Sequence, residues 1–131
     1  MIEGRKTVTL SATRIALVAA AVSLAGGQAL AHHSFAMFDN AKNVELDGTV
    51  REFQWTNPHS WIQLTVMENG RSVEYSIEGS SPNGLARRGW TRNSLKPGDR
   101  IKVTIHPLKD GSRGGSFVKA IKADGSTLGN G

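Results

Sequence analysis

Between residues 44 and 55 the chain alternates apolar and polar side chains and then changes step. Val44, Leu46, Gly48 and Val50 fall between Glu45, Asp47, Thr49 and Arg51. That period of two is the mark of a half-buried strand. Past Arg51 the apolar positions move to Phe53 and Trp55. Such a slip inside one long strand predicts a β-bulge or a strong bend. A strand bent in this way can contribute to both halves of a small barrel.

The remaining segments fit that frame. Trp61 to Glu68 reads as a second strand with Ile62, Leu64 and Val66 on one face. Asn69-Gly70 then signals a tight hairpin, because both residues accept positive φ. The third strand is Val73 to Glu78, with Val73, Tyr75 and Ile77 inward. Ser81-Pro82 predicts a short helix over residues 82–88: serine caps its start and proline suits its first position. Leu85 and Trp90 are its expected core contacts, and Gly89 ends it. Ile101 to His106 and Ser116 to Ala123 complete the set. Three strands, one short helix and two strands is the order of an OB-fold, a five-stranded, partly open Greek-key barrel. The expected class is therefore all-β with one short helix. The barrel is expected over residues 44–125, after an arm at 32–43 pinned by Phe35 and Phe38, and before a loose tail at 126–131.

The start of the chain has another character. Arg5, Lys6 and Arg14 precede an apolar stretch from Ile15 to Leu24, and Ala29-Leu30-Ala31 follows. This is the pattern of a secretory signal peptide over residues 1–31, cleaved after Ala31. The stretch is too short to span a bilayer, so no stable membrane insertion is expected after cleavage. The expected location is the periplasm or the exterior. Cleavage removes three basic residues and Glu3, taking the net charge from +5 to +3. So mild a charge does not argue for nucleic acid. The chain has no cysteine, which rules out disulfides and thiolate metal sites.

The candidate chemistry lies in the histidines. His59 sits in the turn Trp55-Thr56-Asn57-Pro58-His59-Ser60-Trp61, and His106 opens the loop between the last two strands. In an OB-fold these two loops flank the ligand face, so both histidines are expected at one mouth. Cleavage makes His32 the amino terminus. Its α-amine and ring can chelate one metal, with His33 beside it. Nitrogen donors in a plane suit Cu(II), and Zn²⁺ is the alternative. His32, His33, His59 and His106 are therefore the candidate ligands of a metal site. Trp55, Trp61, Tyr75, Arg88 and Trp90 are the candidates for a non-metal ligand, either anionic or sugar-like, or for a protein partner. Catalysis finds less support: no carboxylate pair stands out as acid and base, and no serine sits in a nucleophile elbow.

Several of these stretches also occur together elsewhere. His32-His33-Ser34-Phe35, Trp55-Thr56-Asn57-Pro58-His59, Leu85-Ala86-Arg87-Arg88-Gly89-Trp90 and Lys96-Pro97-Gly98-Asp99 resemble a family of small exported bacterial proteins known only as a domain of unknown function. The resemblance implies an exported single domain and no particular activity. The amino-terminal histidine is also similar, in position alone, to that of the copper-binding histidine-brace proteins.

Overall fold

The hairpin turn sets the register of the sheet. Asn69 (φ 50°) and Gly70 (φ 78°) both take left-handed conformations. The turn joins β2 (Trp61–Glu68) to β3 (Arg71–Glu78) with Glu68 opposite Arg71 and Trp61 opposite Glu78. The computed structural model describes residues 36–129; the signal segment expected over 1–31, and His32 and His33, lie outside them.

The long strand β1 (Val44–Gln54) pairs antiparallel with β2 along its second half. Its first half pairs with β4 (Arg100–Pro107). The expected slip is there: the β1–β2 register shifts between Val50 and Glu52. This irregularity lets one strand serve both halves of the barrel. β5 (Gly114–Lys122) pairs antiparallel with β4 and, over Ser76 to Glu78 of β3, parallel with the far edge. That last pairing closes a five-stranded barrel in the order expected of an OB-like Greek key. Between β3 and β4 lies α1 (Pro82–Ala86), capped by the Ser81 hydroxyl, which accepts from Gly84 N at 3.2 Å.

Inward residues fill the barrel. Val50, Ile62, Leu64, Ile77, Val103, Ile105 and Phe117 are buried, and Leu85, Trp90 and Leu95 of the β3–β4 connection close one side of the core. The closing seam is built from glycine. Gly115 stands opposite Pro107 on one side and Ile77 on the other. A Cβ on Gly114 would meet Ser76 O at 2.6 Å, and one on Gly115 would run into His106 O.

Two details differ from the sequence-based expectation. The tail is not loose throughout: β6 (Thr127–Gly129) pairs with β5. Its Gly129 carbonyl accepts a hydrogen bond from the Trp90 indole at 3.0 Å. The arm is pinned as expected, but by Phe38, which is buried and bridges to Leu108; Phe35 lies outside the described residues. Asp39 N donates to Pro107 O, and Lys109 N to Met37 O.

Candidate functional site

The turn that carries His59 is held at several points. The Asn57–Pro58 peptide is cis, and the Thr56 hydroxyl donates to His59 O at 2.8 Å. Ser60, just beyond, is 1% exposed. Its hydroxyl and its amide both donate to Ser80 O, and its carbonyl accepts from Gly79 N. Burying a polar side chain is tolerable only when it is bonded in this way. The clasp fixes the His59 backbone against the end of β3. His59 Nδ1 then lies 3.0 Å from Glu78 Oε1 and 3.2 Å from Gly79 O.

His106 is fixed in a similar manner. Its Nδ1 lies 2.8 Å from Lys42 O on the arm. Both histidines thus commit the same ring nitrogen, Nδ1, to an acceptor. In a neutral imidazole the nitrogen that does not carry the proton is the acceptor, so these contacts select the tautomer with its lone pair on Nε2.

The two histidines do not touch. Trp61, Glu78, Ser116 and His106 stand side by side on neighbouring strands, all on the outward side of the barrel. His59 reaches this row through Glu78. Two strand spacings, about 10 Å, separate the backbones of Glu78 and His106. Among the described residues no group of three His, Asp or Glu side chains is gathered tightly enough to hold a metal by itself.

The other candidates separate. Trp61 is half-buried in the outward row, next to Gln54 and near Gln63. Tyr75 has the opposite parity and lies over the core, so Trp61 and Tyr75 do not share a face. Trp90 is not a surface platform. It is 3% exposed and packs edge-on against Phe117 at 5.3 Å and tilted against Phe53 at 5.8 Å. Trp55 continues this chain of rings, edge-on to Phe53 at 5.8 Å. Arg88 is exposed and donates back to Gly84 O at 3.2 Å.

Tyr75 takes part in a network that sequence reasoning missed. Its hydroxyl donates to Glu68 Oε1 at 2.6 Å, and Arg113 Nε donates to Glu68 Oε2 at 3.2 Å. The Tyr75 hydrogen bond, with Arg113 adding to it, holds the Glu68 carboxyl below the usual carboxylate range. The same bond, and then burial, raises the Tyr75 phenol above its ordinary value. A depressed carboxyl stabilises the fold above its unfolded pKa, and that contribution is lost as pH falls through the folded one. Tyr75→Phe is therefore expected to make the loss of thermal stability on acidification shallower. Melting curves from neutral pH down to about pH 3 test this; parallel profiles for the two proteins would count against it.

A closed five-stranded barrel with an arm sewn over its edge and two histidines that each engage an acceptor through Nδ1, His59 in the β1–β2 loop and His106 within β4 where the sequence predicts a loop, defines a class: a small OB-like β-barrel with a preset outward face. The chain belongs to a family of unknown function, DUF6152, whose model matches residues 19–117. Comparison with curated proteins and with solved structures gives no match. Among the described residues no helix is long and apolar enough to cross a membrane.

Proposed function

We propose that this chain is an exported binding protein, periplasmic or secreted, that takes a metal ion, Cu(II) in the first place and Zn²⁺ as the alternative. The observation that carries this reading is the shared use of Nδ1 by His59 and His106. Metal-binding histidines characteristically give their second ring nitrogen to a carboxylate or a backbone carbonyl, which orients the ring and sets the tautomer. Glu78, Gly79 and Lys42 would be those outer partners. The barrel supplies at most two imidazoles, so the remaining donors would be the α-amine and ring of His32, with His33 at hand. The arm supports this choice. It is bonded to the β4–β5 loop from Met37 onward. Of the two barrel histidines, His106 is the one bonded to the arm.

Copper titration of the chain beginning at His32, by calorimetry and electron paramagnetic resonance, tests the proposal. One site with several nitrogen ligands is expected. One glycine added before His32 should weaken it at least tenfold, and so should His106→Ala. Binding should weaken as pH falls, because nitrogen donors must shed their protons to take the metal. Binding that is indifferent to the added residue and to both barrel histidines would end the metal reading.

One observation favours a second reading, a module for a sugar-like or anionic ligand or a protein partner. Trp61 stands on the outward β2–β3 face among Gln54, Gln63 and Glu78, the combination of ring and hydrogen-bonding groups by which OB-folds grip extended ligands. Trp61→Ala would abolish that binding and leave copper affinity intact.

A further inference from the structure

The charges of this chain are sorted along its length, and the topology turns that order into two unlike halves. From Val44 to Glu78 there are six acidic residues against two cations; from Gly79 to Lys122 there are ten cations against two acidic residues. The first segment is β1, β2 and β3; the second is the α1 connection, β4 and β5. Because β1–β2–β3 lie together in the sheet and β4–β5 follow on the other side of β1, the barrel has an acidic half and a basic half.

The basic half is also largely unneutralised. Among the described residues the ion pairs involve Lys42, Arg51, His59, Arg100 and Arg113. Arg100, paired with Asp47, is the sole member of the β4–β5 face engaged in this way. Arg87, Arg88, Arg92 and Lys96 on the β3–β4 connection are exposed, and among the described residues their charged groups form no ion pair; Lys102 and Lys119 on the barrel wall are alike in this. Lys122 ties the two groups together: its ammonium donates to Ser94 O at 3.0 Å, and its backbone stands opposite Ile101, between Arg100 and Lys102. A shallow depression of about 340 Å³, lined by Arg100, Lys102, Lys122 and Ile121 and bordered by the one carboxylate of Asp47, lies on this surface.

The large apolar side chains of the β3–β4 connection point away from it. Leu85, Trp90 and Leu95 are buried. Protein interfaces draw their energy from a few apolar or aromatic anchors in pockets. This surface offers charge spread over a wide area with few anchors. That suits a diffuse anionic plane better than a shaped protein partner. We infer that the basic half is a docking surface for an anionic lipid bilayer, which the protein meets peripherally and without insertion. Trp61 and Glu78, on the acidic half, would be left to face water.

Vesicle co-sedimentation of the chain beginning at His32, which keeps the whole described barrel, is the test. The probes are phosphatidylcholine alone and phosphatidylcholine with phosphatidylglycerol at about one part in three. Binding is expected only to the second and should fade when salt rises from about 0.05 M to about 0.5 M. Each cation near an anionic surface is worth about fivefold in partition. The triple variant Arg87→Gln, Arg88→Gln, Arg92→Gln should therefore lose on the order of a hundredfold, and Lys102→Gln with Lys119→Gln on the rigid wall about twentyfold. Lys109→Gln, on the far loop, should change it less than twofold. Equal binding to both vesicle types, or unchanged binding by both variants, overturns the inference. So does a protein that ignores vesicles and instead self-associates, acidic half to basic half, in sedimentation velocity runs.

Discussion

Gly115→Ala is expected to destabilise the protein by about 3 kcal/mol or more, at the upper end of what overpacking costs. The new methyl would run into the His106 carbonyl and come within 2.8 Å of Ile105 Cδ1. A backbone oxygen held in a ladder cannot step aside as the tip of a side chain can. Gly115 is also the residue at which β5 meets β4 on one flank and β3 on the other, so relief by backbone movement has to come from the barrel closure itself. Amide hydrogen exchange should therefore show protection lost first over Ser76 to Glu78 and their partners. Gly70→Ala is the comparison: its Cβ meets no atom, and the φ of 78° alone costs about 1–2 kcal/mol. If the two variants melt alike, the seam is not as tight as described.

Trp90→Ala should have a comparable or larger effect, about 3–5 kcal/mol. It removes the ring between Phe53 and Phe117, and the one donor that satisfies Gly129 O from the β3–β4 connection. Small domains hold only about 5–15 kcal/mol in all, so the midpoint of thermal unfolding should drop by more than about 12 °C. Trp90→Phe separates the two contributions. It keeps most of the ring packing and should cost about 1–2 kcal/mol through the lost hydrogen bond and the smaller ring. Fraying of Thr127 to Gly129 should appear in both variants.

Trp90 also shows the sequence pointing two ways: its place after the short helix marks it as a core contact, and that reading holds. Its neighbours are Arg87, Arg88 and Arg92, and a tryptophan among arginines reads as a surface platform. Its burial comes from Phe53 and Phe117, which are remote in the chain and brought there by the barrel. β6 escaped notice for a related reason. Three residues carry no period, and their partners are β5 and an indole far upstream. By contrast, the bulge in β1 was written in the slip from Val50 to Phe53, and the Asn69-Gly70 turn fixed more than a hairpin. Once Glu68 faces Arg71, counting outward puts Trp61 opposite Glu78. Half of the candidate row was therefore readable from one turn. The other half, Ser116 and His106, depends on β5 lying parallel to β3, and a pairing between segments so distant leaves no local trace. The hydrogen-bond partners of His59 and His106 were unreadable for the same reason, since Glu78 and Lys42 are distant in sequence from the rings they orient.

The seam between β3 and β5 has a further consequence for how the molecule is made. Every ladder except the β1–β2–β3 meander and the β4–β5–β6 run joins segments far apart in the chain, with Val44 against Ile105 and Ser76 against Gly114. Folds dominated by such distant pairings reach the native state in milliseconds to seconds, because loop entropy is lost before the contacts that reward it form. Until Gly114 and Gly115 arrive, β3 and β4 each present an open edge to neighbouring molecules. Chains ending before residue 114 should therefore aggregate, and those reaching Lys122 should stay monodisperse.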